Sequence, residues 1–521
     1  MNTGQLTRNL KLLFASFVIV IAAVLACARA AGPASAPWNV SGQEPAASIV
    51  DNPTSVAQQA GKNLPLLPAT GTPTPDRPRV LPTLRSEPEE YYVEKGDTLG
   101  QIAKKYHLRL QDLIDSNNIN NPDILEVGQL LTIPAPTPGT QGTGFKVIPD
   151  SEEVYGPGSV DFDIAAFIQS QGGYLASYQD EVYEQTLSAA EVVERVSYEF
   201  SVNPRLLLAV LEYQSGWVTQ ANPDESTLEY PLGYENTYYK GLYFQLSWAA
   251  NNLNLGYYLW RVNGIGAWTL ADGELVPIDP TLNAGTAAVQ NYYAQIYGRT
   301  EWDNAVGPQG IYATYQSLFG DPFSRAVEPL VPGDLKQPEM RLPFEDGKEW
   351  SFTGGPHGGW GTGSAWAALD FAPPGPALGC VPSDEWVVAV ADGTILRADT
   401  GAVLQDLDVS PGVKGDGKEQ TGWTVLYMHI ESRDRVQPGT YVRAGERIGH
   451  PSCEGGVSTG THVHLARRYN GEWIPADQNL PFVLDGWISR GSGGEYDGYL
   501  QKDGQTVEAW EGRVPANAIQ R

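Results

Sequence analysis

Gly460-Thr461-His462-Val463-His464-Leu465 sets two imidazoles two residues apart. Successive side chains of a strand point to opposite faces, so an extended chain here projects both rings from one side. Histidine is scarce, six in 521 residues, yet His357, His429, His450, His462 and His464 all fall in one segment. A lone carboxylate, Asp370, interrupts the apolar run Ala367-Ala368-Leu369-Asp370-Phe371 inside that segment. Zinc takes imidazole nitrogen and carboxylate oxygen, and a catalytic zinc keeps one of its positions for water. A single His-x-His is common, and any one histidine is ordinarily a surface or core residue. The concentration of histidines, with Asp370 and with Tyr427-Met428-His429 at a second strand end, favours a metal centre. Three protein ligands and two spare histidines would make a hydrolase.

At these residues the chain resembles the lysostaphin-type zinc endopeptidases that cut cell-wall peptides, and within them the β-lytic, staphylolysin-like branch. The likeness runs from near Leu342 to near Asp477. It rests on Gly354-Gly355-Pro356-His357-Gly358 followed by Ala368-Leu369-Asp370-Phe371. The runs Trp386-Val387-Val388-Ala389-Val390-Ala391-Asp392-Gly393-Thr394-Ile395 and Val442-Arg443-Ala444-Gly445-Glu446-Arg447-Ile448-Gly449 match as well. Commoner members place the ligand His four residues before the Asp, where this chain has Trp366. The longer interval from His357 to Asp370 is the one the β-lytic branch uses. The resemblance implies an open antiparallel sheet with the site in a groove, one Zn2+ on His357, Asp370 and His464, and His429 with His462 as the proton-handling pair. Imidazole suits that task, since its ordinary pKa lies near neutrality. Which of the two takes the proton and which supports the oxyanion stays open. After His464, Asn470-Gly471 between two strand-like runs signals a tight hairpin.

The N-terminus reads as an export signal over residues 1–30: Arg8 and Lys11, then an apolar run from Leu12 to Cys27. Two endings compete. Val24-Leu25-Ala26-Cys27 resembles a lipobox, which would make Cys27 a lipidation site and anchor the chain to a membrane, whereas Ala28-Arg29-Ala30 resembles an ordinary cleavage site. The localisation expected is extracytoplasmic, secreted or membrane-anchored at a bacterial envelope. Of the three cysteines, Cys380 and Cys453 then remain in the peptidase segment, and an exported domain favours a disulfide between them. The net charge of −27 and the lack of a basic run beyond the signal argue against nucleic acid as partner.

With 521 residues the chain has material for several cores, and it is expected to be multidomain. Residues 31–88 are a Pro/Ala/Thr-rich linker without periodicity. Residues 89–135 carry Tyr91-Tyr92-Val93-Glu94-Lys95-Gly96-Asp97-Thr98-Leu99, a helix stripe of Leu99, Ile102, Ala103 and Tyr106, a second short helix, and a closing strand. This segment resembles a LysM domain, a small βααβ α+β fold, which implies binding of N-acetylglucosamine-containing glycan such as peptidoglycan. Its candidate contacts are Gly96, Asp97, Thr98, Pro122 and Ile124. A linker over 136–160 leads to a mostly α region, 161–332. There Ser201 to Gly216, Gly241-Leu242-Tyr243-Phe244-Gln245 and Leu282-Asn283-Ala284-Gly285 resemble, loosely, the lysozyme-like lytic transglycosylases. The general-acid Glu of that family should precede Ser215, and Gln214 stands there. A neutral amide cannot donate a proton, so the region is expected to hold glycan without cutting it, or to act as a spacer. The all-β zinc peptidase domain takes 338–480, and 481–521 form a β extension. The function expected is a LysM-targeted peptidoglycan endopeptidase. The alternatives are an inactive wall-binding or regulatory protein, or a bifunctional enzyme whose middle domain also cuts glycan.

Overall fold

The computed structural model describes residues 76–521 except 123, 376, 377, 409 and 411. The export segment with Cys27, and the 31–88 stretch up to residue 75, lie outside the described residues. No helix of the described residues is long and apolar enough to cross a membrane.

In the first unit the strands Glu89–Tyr92 and Leu130–Ile133 pair antiparallel around the helices Leu99–Lys105 and Leu110–Asn117. Thr98 starts the first helix because its hydroxyl accepts the Gln101 N–H while the Gln101 side chain accepts the Thr98 N–H. The helix stripe buries Leu99, Ile102 and Ala103 against Val93, Leu113, Leu131 and Ile133. Such a core has little to spare: truncating fully buried Leu113 to Ala would cost about 2–5 kcal/mol.

The middle region is helical, with Ile164–Gln171, Ala189–Phe200, Pro204–Ser215, Leu242–Arg261, Ala284–Ala294, Arg299–Ala305 and Ile311–Phe319. Local chemistry sets the starts. Ser188 and Glu191 form a capping box, and Asn203 caps a helix that opens on Pro204, whose missing N–H costs nothing in the first turn. The two helices Leu242–Arg261 and Ala284–Ala294 touch at Gly256, where a Cβ would lie 2.7 Å from Ala287 O. The expected linker 136–160 departs from expectation in its second half. Val147, Ile148 and Val154 are fully buried in the helical core, so that stretch belongs to the packed unit. Its flanking Pro and Gly concealed a short apolar strip with no period to mark it.

The C-terminal part is built on a nine-stranded antiparallel sheet. Its path runs Tyr441–Val442, Gly393–Asp399, Ala402–Leu407, Trp423–Met428, Val463–Tyr469, Ala368–Ala372, Glu349–His357 and Ala518–Gln520, with Glu472–Trp473 pairing the Val463–Tyr469 strand. Asn470 and Gly471, at φ 50° and 79°, make the two-residue turn of that last hairpin. Alternate side chains divide the sheet. Leu369, Phe371, Val403, Val425, Tyr427, Val463 and Leu465 face one core, shared with Phe482, Leu484, Leu500 and Val507 of the C-terminal extension. Ala368, Ala402, Leu404, Leu426, Met428 and Ala466 face the other way and join the core of the helical domain. Both faces of the sheet are therefore covered, and the site strands lie in the middle of it.

Candidate metal centre

Three adjacent strands carry the candidate ligands. In register, His464 faces Asp370 across one ladder, and Asp370 faces Gly354 across the next. The Glu349–His357 strand then shifts register after Gly354 and ends on His357 itself. The result is a triangle of atoms: His357 Nε2 to His464 Nδ1 at 2.9 Å, and Asp370 Oδ1 at 3.2 Å and 3.3 Å from those two nitrogens. All three residues are buried, and they are the group among the described residues whose atoms could hold a metal ion.

The fit to zinc can be tested on this geometry. Tetrahedral zinc with bonds of about 2.0 Å needs ligand atoms about 3.3 Å apart, close to the edges seen here. The outer nitrogens are fixed by backbone. His357 Nδ1–H donates to Gly355 O at 2.7 Å, and His464 Nε2–H donates to Gly359 O at 3.1 Å. These bonds choose the tautomers, so the inward nitrogens carry lone pairs, as metal ligands must. Asp370 Oδ1 is buried with no hydrogen-bond partner, although such an atom costs about 1–3 kcal/mol unless something satisfies it. The residues fit a divalent cation.

Electrostatics agrees. Burial works against charge on Asp370, yet His357 and His462 outweigh it and hold the carboxyl well below the usual carboxylate range. Burial likewise opposes charge on His357, and the Asp370 carboxylate outweighs it, raising that imidazole. His464 is lowered, by burial first.

His429 and His462 stand beside the triangle. His462 Nδ1 donates to Gly460 O at 2.7 Å, which leaves Nε2 facing Asp370 Oδ2 at 3.8 Å. His429 Nδ1 donates to Glu454 O at 3.1 Å. Burial, then the imidazoles of His462 and His464, push His429 down to about 3, so it stays neutral at working pH. Its backbone is left-handed, φ 63°, which costs a residue with a Cβ about 1–3 kcal/mol and is typical of functional positions. The loop next to His462 is tied to the Gly379–Val381 segment. Thr461 N–H donates to Gly379 O at 3.1 Å, and Val381 N–H to Thr461 Oγ1 at 2.9 Å. The Cys380–Cys453 disulfide, Cα to Cα 5.7 Å, closes the same corner.

Comparison with known proteins matches residues 378–475 to the model of peptidase family M23, residues 91–134 to the LysM domain, and residues 146–331 to the LasA N-terminal domain. The chain is a metalloendopeptidase with one segment that matches the LysM domain and one that matches peptidase family M23. It is 27% identical over 341 residues to protease LasA of Pseudomonas aeruginosa, covering 62% of this chain and 73% of that protein. It is 27% identical over 179 residues to the β-lytic metalloendopeptidase of Achromobacter lyticus, covering 32% of this chain and 43% of that one. Among solved structures it is similar to the M23 metalloprotease pseudoalterin from the deep sea, at 24% identity and a TM-score of 0.27, over 34% of this chain and 97% of that one. The segment matched to M23 contains His429, His462 and His464 but begins after His357 and Asp370. As candidate ligands, His357 and Asp370 therefore rest on the geometry above.

Other sequence candidates fall elsewhere. His450 is held by Glu385 O at 2.8 Å and packs on Trp386, outside the site. In the LysM unit the Asp97 carboxylate already accepts Tyr91 O–H and Glu94 N–H, and Thr98 is occupied as a helix cap, whereas Gly96, Pro122 and Ile124 are exposed. In the helical domain Gln214 Oε1 accepts the Tyr297 hydroxyl at 2.8 Å. Glu212 caps its own helix end instead, accepting the N–H groups of Val218 and Thr219 at 3.0 Å and 3.1 Å.

One site neighbour carried no sequence signal. Tyr496, from the hairpin of the C-terminal extension, stacks on the His357 ring with centroids 4.2 Å apart and planes 19° from parallel. Its backbone bonds Gly355 N–H and Pro356 O, so the extension is fastened to the ligand strand. Only a hairpin count through the Gly-rich stretch Gly491-Ser492-Gly493-Gly494 could have pointed to it.

Proposed function

We propose that this chain is an exported, zinc-dependent endopeptidase that cleaves the peptides of peptidoglycan, stem or cross-bridge. His357, Asp370 and His464 hold the metal, and His429 and His462 handle protons. The observation that carries this reading is the triangle of 2.9 Å, 3.2 Å and 3.3 Å with its lone pairs converging. When bound, zinc supplies Lewis acidity that polarises the scissile carbonyl and eases ionisation of water near neutral pH. The chain's own groups do the rest. Asp370 fixes the charge balance, the Gly355 and Gly359 carbonyls hold the ligand rings, and a ring nitrogen of His429 or His462 takes a proton from water and returns it to the leaving amine.

The LysM unit brings this chemistry to its polymer. Gly96, Pro122 and Ile124 offer exposed surface for N-acetylglucosamine-containing glycan, with Asp97 and Thr98 shaping the loop between them and the helix. The lysozyme-like reading of the helical domain becomes one of glycan holding, supported by Gln214 in place of an acid and by Glu212 bonded into its helix end.

The test is release of new amino termini from purified peptidoglycan by the full chain, with chelator, and with zinc restored after chelation. Release that chelation stops and zinc restores is expected. No release under any of these conditions would overturn the proposal.

A further inference from the structure

Residues 358–367 join the strand that ends in His357 to the strand that carries Asp370. This loop is folded on itself by Gly359 N–H to Ala365 O at 3.0 Å and by Trp360 N–H to Ser364 Oγ at 3.0 Å. It is also held from outside the peptidase. On the helix Leu242–Arg261, the side-chain oxygen of Asn251 accepts Gly363 N–H at 2.8 Å, and its amide donates to Thr362 Oγ1 at 3.2 Å. The approach is so close that a Cβ on Gly363 would stand 1.8 Å from the Asn251 carbonyl oxygen.

A second hold comes from beneath. Trp473, fully buried, donates its backbone N–H to the Tyr258 hydroxyl at 2.9 Å and its indole N–H to Phe200 O at 3.3 Å, both in the helical domain. The Trp473 ring lies under Gly359, where a Cβ would be 2.6 Å from Cε3. Gly359 is the residue whose carbonyl accepts the His464 Nε2–H. Both holds therefore end on the loop that sets the orientation of one metal ligand.

We propose that the helical domain forms a fixed wall of the metal centre, with Asn251 and Trp473 as positioning residues that place the Gly359 carbonyl and through it aim the His464 imidazole at the metal. The inference rests on the zinc reading given above. Carbonyl partners of ligating imidazoles fix the tautomer and ring angle, and their loss typically weakens metal binding about 10–100-fold. A contact that merely packs two domains together would lower the melting temperature and leave the metal site of the folded protein as it was.

The experiment uses the full chain and two readouts besides turnover: zinc affinity by chelator competition, and the visible spectrum of the cobalt(II)-substituted protein, which reports coordination geometry. Asn251→Ala is expected to bind zinc about 10–100-fold more weakly and to shift the cobalt spectrum. Asn251→Asp keeps an acceptor for Gly363 N–H and is expected to recover most of the affinity. Gly359→Ala, whose new methyl must push off Trp473, is expected to show the same spectral shift, and it serves if Asn251→Ala does not fold. Wild-type affinity and spectrum in the folded variants would overturn the inference while leaving the zinc reading intact. A wild-type chain that takes up no zinc would overturn both.

Discussion

The rings of His429 and His462 face each other with centroids 4.5 Å apart, and each holds its Nδ1–H on a backbone carbonyl, Glu454 O for one and Gly460 O for the other. Both therefore present Nε2 as an acceptor. Neither is part of the ligand triangle. Replacing either with Ala should leave zinc content unchanged while turnover falls about 10²–10⁴-fold, the usual contribution of a general acid or base. Metal analysis beside steady-state rates checks this, and loss of zinc in either variant would return that histidine to the ligand set.

Removing one of the proposed ligands should behave differently. His357→Ala deletes one corner of the triangle and is expected to lose both zinc and activity, with added zinc giving no rescue at moderate concentration. The metal should also stabilise the fold, because it satisfies the buried Asp370 Oδ1 that has no other partner. Chelation should lower the melting temperature of the wild-type chain and leave that of His357→Ala nearly unmoved. Equal shifts in both would point to a different site.

How much of this was legible in the chain itself depends on the distance over which each feature is encoded. The His462 and His464 pair, and Asp370 inside an apolar run, are written within a few residues, because strand alternation alone puts them on the site face. The Asn470-Gly471 turn is equally local and folds as its dipeptide predicts. Tyr496 on His357, and Asn251 against Gly363, join segments more than a hundred residues apart in sequence through polar or glycine-rich loops without period. The covering of the sheet's second face was hidden for another reason. Ala402, Leu404, Leu426 and Ala466 read as ordinary strand residues, and only the helical domain packed on them shows that they belong to its core.

The Cys380–Cys453 bridge spans 73 residues and ties the Gly379–Val381 corner to the loop that leads into His462. Replacing both cysteines with Ser should cost about 2–5 kcal/mol of stability. It should also lower turnover with little change in zinc content, since Thr461 would hold His462 less firmly. Denaturant unfolding together with kinetics checks both parts, and unchanged stability would show that the corner is held by its hydrogen bonds alone.

Glu153 gives a pH dependence remote from the metal. It is fully buried with both carboxylate oxygens unpartnered, and burial, then Glu472 and Asp150, raise it well above its ordinary value of 4.5. Arg261 meets Glu472 at 2.7 Å and Asp150 at 4.0 Å, and the Tyr257 hydroxyl donates to Glu472 at 3.2 Å. A raised folded-state pKa means the contribution is fully present below the unfolded value and is lost as pH climbs through the folded one. Melting temperatures followed over roughly pH 5 to 9 should therefore fall faster for wild type than for Glu153→Gln. Parallel curves would show that Glu153 has the same pKa in the folded and unfolded chain.

Glu212 and Gln214 decide whether the helical domain is a second enzyme. Glycosidic cleavage needs a carboxylic acid that can give up a proton at the scissile oxygen. Gln214 has none to give, and it is already bonded to Tyr297. Glu212 is engaged elsewhere: its oxygens receive two backbone N–H groups and the Thr219 hydroxyl, which keeps the group turned into its own helix end. Purified glycan strands stripped of peptide should therefore yield no new reducing ends or anhydro-sugars with the full chain. Glu212→Gln should cost stability, about 1–3 kcal/mol for hydrogen bonds weakened or lost, without changing any glycan signal. Cleavage of those strands by wild type, abolished in Glu212→Gln, would instead make the domain a glycosidase whose acid leaves its helix end when substrate binds.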